Sequence, residues 1–220
     1  MTINIIYKNG DLKKTTSNLV LFVDEKFNTD VLKKHISKNE FTYISDLLKN
    51  SDLKKDLLFF EINSKKTIFL VSVKKDLKTS DIESLGAKFH NHINYDKAND
   101  YFINSDTANS KIENFVGYFL HGIKLKSYEF NIYKSKKNKN HVSVIVVGNK
   151  KKISTQIQLR FKALEEGTFF ARDLVSEPGN ILHPDEYAKR INLLKKFGLK
   201  INIYDEKKLK KLGMNALLGV

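Results

Sequence analysis

The chain has 220 residues, and its 39 Lys and Arg against 25 Asp and Glu give a net charge of +14 at pH 7. Its hydrophobic residues, at 41%, suffice for a core, and a charged fraction of 29% is ordinary, which excludes wholesale disorder. The absence of Cys excludes a disulfide scaffold and any cysteine-based metal site or nucleophile. No apolar run approaches the ~18 residues of a membrane span, so we expect a cytoplasmic protein without membrane contact.

Short apolar runs alternate with helical periodicities through the first part of the chain. The runs favour strands, several of them buried on both faces, and Ser80 with Glu83 predicts a capping box at a helix start. Strands alternating with helices predict an α/β domain with a largely parallel sheet over residues 1–150. In chain order, the predicted elements are an edge strand at 3–5, a strand at 18–23, a helix at 30–49, a strand at 67–73, a helix at 80–93, a strand at 101–103, a helix at 112–123 and a strand at 142–147.

A long linking helix is predicted over residues 151–177. Apolar residues recur there at steps of three and four from Ile153 to Val175, which gives the helix one apolar face. The helix is expected to end before Pro178, because proline disfavours helical backbone at the residue that precedes it.

A second α/β unit is predicted over residues 178–220. Pro184 suits the first position of a helix, Leu199 to Ile203 alternate as in a strand, and Asp205 is placed to cap a short helix. The last seven residues are mostly apolar, so we expect this unit to be incomplete and the chain to be truncated.

Three segments carry a resemblance to a known family. Residues 122–134 read GIKLKSYEFNIYK, residues 166–184 read EGTFFARDLVSEPGNILHP, and residues 213–220 read GMNALLGV. They resemble the leucyl (cytosol) aminopeptidase family, whose patterns are G-x-x-L-x-S-Y-x-F-x-x-Y-K, E-G-x-x-x-A-R-D-L-x-N-E-P-x-N-x-x-T-P and G-M-G-A-L-L-x-V. Ser176, His183 and Asn215 depart from the usual Asn, Thr and Gly of these patterns.

The resemblance implies a fold and an activity. Family members have an N-terminal domain of macro-domain-like topology, a long linking helix and a catalytic domain that holds two divalent metal ions, Zn or Mn. They form hexamers and release N-terminal amino acids from peptides. The family's metal-binding motifs resemble K-G-x-T-F-D-x-G-G and N-T-D-A-E-G-R, and neither string occurs in this chain. We therefore expect no catalytic or metal-binding residues here, no activity of the chain alone, and a role as a regulatory or oligomerisation domain.

Other residues that are typical of functional sites have simpler structural interpretations. His90 and His92 lie two positions apart, unlike the i, i+4 pair of a helical zinc site, and are expected at the surface. The adjacent acids at 165–166 and 205–206 are expected to be solvated. A salt bridge or an interface contact is expected for Arg172 and Asp173, and capping or exposure for His183. Tyr128, Phe130 and Tyr133, which lie among lysines, could stack on nucleobases, but packing within the chain is the expected role.

The positive charge leaves one alternative open, a basic module that binds DNA or another polyanion. Residues 124–152 contain nine Lys and one acid, whereas the whole chain has only three Arg, the residue that nucleic-acid readers favour. A lysine-coated, solvated surface is the competing interpretation. The candidate polyanion-binding residues are Lys134, Lys136, Lys137, Lys139, Lys150, Lys151 and Lys152.

Overall fold

The structure of the chain is a computed structural model. The chain forms two compact units, residues 1–169 and residues 170–220. No helix of the described residues is long and apolar enough to cross a membrane. The structure describes residues 2–10, 15–95, 100–135, 141–151 and 153–219.

The unit of residues 1–169 is built on a six-stranded sheet among its described residues. The strand order is β1-β6-β5-β2-β4-β3, in which β3 runs antiparallel to β4 and every other pairing is parallel. The predicted mostly parallel α/β fold is thus confirmed, with β1 at one edge. The strands are β1 (Thr2–Asn9), β2 (Asn18–Asp24), β3 (Leu57–Asn63), β4 (Lys66–Val73), β5 (Tyr101–Asn104) and β6 (His141–Gly148).

Strand β3 was not predicted from the sequence. It joins β4 through a two-residue connection at Ser64 and Lys65, where the Asn63 side chain accepts a hydrogen bond of 2.9 Å from the Lys65 backbone N–H. Phe59 in the middle of β3 is 47% exposed, because the strand closes the second edge of the sheet. An edge position explains why its residues lack the uniform burial of the central strands.

Helices cover both faces of the sheet. Because successive side chains of a strand point to opposite faces, Val20 and Phe22 of β2 join one core while Leu19 and Leu21 join the other. The first core contains Phe119, whose ring meets that of Phe22 edge-on at 5.2 Å. In this unit the helices are α1 (Lys38–Lys49), α2 (Thr79–His90), α3 (Phe115–Lys126) and the beginning of α4 (Thr155–Ser176), with α2 and α3 on the first face and α1 on the second.

The predicted helix over 30–49 is broken in the structure. A 3₁₀ turn spans Thr29–Lys34, and α1 begins after Ser37, whose extended backbone forms a capping box with Glu40. Glu40 accepts a hydrogen bond of 2.7 Å from the Ser37 N–H. Its carboxylate also forms an ion pair of 2.6 Å with the ammonium of the buried Lys66. The cap requires non-helical backbone at Ser37, which interrupts the helix there.

The predicted cap of α2 at Ser80 is wrong. The N-cap residue is Lys78, whose backbone N–H donates to the Asp81 carboxylate at 2.8 Å. Asp81 is therefore the acidic residue that caps this helix, three residues after Lys78. Ser80 lies inside the first turn, where its carbonyl oxygen accepts a hydrogen bond from the Ser84 hydroxyl.

The unit of residues 170–220 contains the predicted helices. Helix α5 (Pro184–Asn192) begins at Pro184, and α6 (Glu206–Lys211) is capped by Asp205, whose side chain accepts from the Lys208 N–H at 2.8 Å. The strand predicted from Leu199 to Ile203 does not form, and that prediction is wrong. A strand needs a neighbouring backbone for its N–H and C=O groups, and no described strand of this chain pairs with the segment.

Two glycines allow α2 and α3 to cross in close contact. A Cβ atom at Gly86 would lie 2.0 Å from the Phe119 carbonyl oxygen, and one at Gly122 would lie 1.9 Å from the Glu83 carbonyl oxygen. Both neighbours are backbone atoms, so neither obstacle can rotate away. Any larger residue at either position would force the helices apart.

We expect Gly122→Ala to lower the free energy of unfolding by about 1–3 kcal/mol, because the added methyl group overpacks the helix crossing. Gly167→Ala is the matched control, since Gly167 lies within α4 with no heavy atom within 4 Å of its Cβ position. The control is expected to raise stability by about 0.5–1 kcal/mol through helix propensity. Urea unfolding of both variants measures this, and equal effects would contradict the crossing argument.

Candidate functional site

The lysine-rich segment of residues 124–152 ends in a turn whose backbone N–H groups are bound by a carboxylate of the chain itself. Asp106 accepts hydrogen bonds from the N–H groups of Asn149 at 2.9 Å, Lys150 at 2.8 Å and Lys151 at 2.9 Å. Burial opposes ionisation of this carboxyl, but the three N–H donors outweigh it and hold the pKa of Asp106 below its usual range. These N–H groups are therefore already satisfied.

The lysine side chains of this segment are only partly described. Lys134 and Lys150 are exposed, whereas the Lys151 ammonium donates to the Ala108 carbonyl. The other four candidates, Lys136, Lys137, Lys139 and Lys152, lie outside the described residues. Polyanion binding by this segment therefore stays a prediction from the sequence.

His90 and His92 make separate contacts with aromatic side chains. The Nε2 atom of His90 lies 2.8 Å from the Tyr95 hydroxyl, and the ring of His92 lies 4.8 Å from that of Phe59. Burial lowers the pKa of His92, and burial followed by the charge of Lys126 lowers that of His90.

The family resemblance implies two metal ions. Nowhere in the described ranges do three or more His, Asp or Glu side chains come together as a metal-binding group. The described residues therefore do not fit such a centre.

A cleft of about 370 Å³ lies in the first unit, between edge strand β1, helix α3 and the first part of helix α4. Strand β1 contributes Ile5 and Tyr7, α3 contributes His121 and Lys124, and α4 contributes Glu165. It combines polar, charged and apolar side chains, which is typical of small-molecule sites.

A shielded ion pair lies in the wall of this cleft. The Lys124 ammonium is 2.9 Å from the Glu165 carboxylate, and the two side chains are only 17% and 19% exposed. Lys124 also donates to the Ile3 carbonyl oxygen at 3.0 Å, which ties the pair to β1. The expectation that Glu165 is solvated is therefore wrong, because the face of α4 that carries Glu165 packs against Lys124.

Tyr7 is held in its protonated form. Burial, followed by the negative charge of Glu165, raises the pKa of Tyr7 to about 12. The phenol therefore keeps its proton throughout the physiological pH range and presents an O–H donor.

His121 places a buried imidazole ring in the wall of the cleft. Its Nδ1 atom lies 2.8 Å from a Glu83 carboxylate oxygen, and its side chain is 8% exposed. Nε2 is buried and has no hydrogen-bond partner among the described residues. The ring of Phe161 lies 5.5 Å away, and it fits there because the neighbouring Gly117 has no side chain.

Sequence reasoning did not single out His121, Lys124 or Glu165 as one site. A signal existed for His121, since a histidine stands among buried apolar residues of α3. No sequence pattern pairs Lys124 with Glu165, because the two residues lie on different helices.

Comparisons with known proteins identify the relatives of the chain. Residues 169–220 match the family model described as the cytosol aminopeptidase family, catalytic domain. The resemblance to this family is confirmed. A probable cytosol aminopeptidase of Sinorhizobium medicae (strain WSM419) is 39% identical over 114 residues, which cover 46% of this chain and 22% of the relative. One from Nitrobacter winogradskyi is 35% identical over 154 residues, which cover 66% of this chain and 30% of the relative. The chain thus spans less than a third of these relatives.

Solved structures share the fold. A mutant of tomato leucine aminopeptidase matches with a TM-score of 0.70 and 16% identity over 96% of this chain and 46% of that one. A cytosol aminopeptidase from Coxiella burnetii matches with a TM-score of 0.63 and 15% identity over 93% and 41% of the two chains. The bottromycin maturation enzyme BotP in complex with Mn gives 0.62 and 15% over 90% and 40%. These likenesses confirm the α/β fold that was predicted for this chain.

We expect Glu165→Gln to lower the pKa of Tyr7 from about 12, because it removes the nearby negative charge. The pKa should stay above the ordinary 10.0, since burial is the larger cause of the shift. An NMR titration of the tyrosine ring carbons measures this. Glu166→Gln on the same helix is the control and should leave the pKa of Tyr7 unchanged; an equal shift in both variants would contradict the assignment.

Proposed function

We propose that the chain is the N-terminal portion of a metal-dependent leucyl-type aminopeptidase, a cytoplasmic enzyme that releases N-terminal amino acids from peptides. The match of residues 169–220 to the family's catalytic domain carries this proposal. The likeness of the fold to solved aminopeptidases supports it, because the chain covers under half of each of those proteins.

In this proposal, the chain itself acts as a regulatory and oligomerisation domain. Its residues 1–150 form the N-terminal domain, residues 151–177 the linking helix and residues 178–220 the start of the catalytic domain. The catalytic residues and the two Zn or Mn ions belong to the rest of the catalytic domain, since the family's two metal-binding motifs do not occur in the chain. Peptide hydrolysis then requires that remaining part.

We expect the purified chain to hydrolyse leucine p-nitroanilide no faster than buffer, with Mn²⁺ or Zn²⁺ present. Two-metal hydrolysis needs several carboxylates that bridge the ions, and the described residues do not bring such a set together. Absorbance of the released nitroaniline measures the rate. Metal-dependent turnover by the chain alone would show that it has an active site of its own.

A chimera tests the family role directly. Residues 1–220 replace the corresponding region of the Nitrobacter winogradskyi relative, and the unaltered relative is the control. We expect the chimera to release leucine from leucyl substrates in the presence of Mn²⁺ or Zn²⁺. A folded chimera without activity, beside an active control, would contradict the proposal.

An oligomerisation role predicts that the chain associates with itself. Sedimentation velocity at micromolar concentrations should give a mass that is a multiple of 25.4 kDa, with six copies expected by analogy with the family. A monomer at every concentration would remove this part of the proposal and leave the chimera test unaffected.

A further inference from the structure

We propose that the cleft between β1, α3 and α4 binds one free α-amino acid with an apolar side chain, in its zwitterionic form. The inference concerns the first unit of the chain alone and does not depend on the aminopeptidase activity. It rests on three independent observations: the shielded ion pair, the polar groups around it, and the apolar wall.

The charges of the cleft favour a ligand that carries both signs. Lys124 and Glu165 provide one positive and one negative group, each less than a fifth exposed, and the more exposed pair of Lys162 and Glu166 adds no net charge. A ligand with a single charge would pair with either Lys124 or Glu165. The other residue would gain no opposite charge from the ligand, in a site where water solvates it poorly. An ammonium and a carboxylate on one carbon match both members.

The hydrogen-bonding groups are placed for the same two ends. Lys124 has three N–H donors, of which Glu165 and the Ile3 carbonyl oxygen use two, so one remains for a ligand carboxylate. The protonated Tyr7 hydroxyl is a second donor on the β1 side. Both residues line the cleft, and in this proposal they bind the ligand carboxylate.

The ammonium end is formed by the Glu165 carboxylate, which can accept hydrogen bonds from a ligand ammonium. The His121 ring lines the same cleft, and its orientation is set by the Glu83 carboxylate, which lies 2.8 Å from Nδ1.

The remaining wall is apolar and sets the size of the side chain. Ile5, Leu120 and Phe161 line it, and Leu159 at the mouth is 61% exposed. Burying such surface against a ligand is favourable at roughly 25 cal/mol per Å². A volume of about 370 Å³ accommodates one amino acid such as leucine.

Calorimetric titration of the full chain with L-leucine tests the proposal. We expect saturable binding of one ligand per chain. Leucinamide, which lacks the carboxylate, and 4-methylpentanoate, which lacks the ammonium, should each bind at least about tenfold more weakly, because each leaves one charged group unmatched. Failure of leucine to saturate, or equal binding of either analogue, would overturn the proposal.

Variants assign the binding to the cleft. Glu165→Gln should weaken L-leucine binding at least about tenfold, since it removes the ammonium partner. Glu206→Gln is the matched control, because Glu206 also pairs with a lysine, Lys210 at 2.7 Å, but does not line the cleft. The control should bind as the unaltered chain does, and an unchanged Glu165→Gln variant would overturn the assignment.

A gentler variant keeps the test decisive if Glu165→Gln fails to fold. Tyr7→Phe removes only a hydroxyl group and should weaken leucine binding, while it leaves unchanged the binding of 3-methylbutylamine, which has neither a carboxylate nor a carbonyl group. Equal loss for both ligands would contradict the carboxylate-binding role of Tyr7. Because no peptide is hydrolysed in these measurements, their outcome is separate from that of the chimera.

Discussion

The crossing of α2 over α3 is the contact on which the rest of the first unit depends. Gly86 and Gly122 let the two backbones touch, so that Glu83 lies directly against α3. Its carboxylate therefore reaches His121 and fixes the orientation of that imidazole. Helix α3 also directs Phe119 into the sheet core and Lys124 towards β1. A single close approach thus sets both the packing of one sheet face and the geometry of the cleft.

Polar groups at the carboxyl ends of the central strands are hydrogen-bonded within the chain. In open α/β sheets, ligands bind beyond the carboxyl ends of the strands, where the chain order reverses, which is here between β2 and β5. At that point the Thr107 hydroxyl accepts from the Phe22 N–H and donates to the Asn104 carbonyl oxygen. Beside it, the Asp106 carboxylate takes the three N–H groups of the following turn. Polar groups of the kind that commonly hold ligands are thus bound within the chain at this point, whereas the cleft described above lies beside edge strand β1.

Most of the fold was predictable because its signals are local. A continuous apolar run such as that of β2 indicates a strand with both faces covered, and the three- and four-residue steps of α4 indicate one apolar helix face. The failures have physical causes. Ser37 interrupts a predicted helix by capping the next one, Asp81 rather than Glu83 closes the box of α2, and the segment at 199–203 alternates without a described strand to pair with.

Local sequence patterns were enough to predict the α/β class, the parallel core strands, the long helix α4 and the likeness to the cytosol aminopeptidases. Each of these is written in neighbouring residues or in contiguous motifs. Three contacts became visible only in the folded chain: β3 closes the sheet, Lys124 pairs with Glu165, and Glu83 holds His121. These contacts join residues that are far apart in the chain. They depend on how closely the helices approach one another and the sheet, which no local pattern specifies.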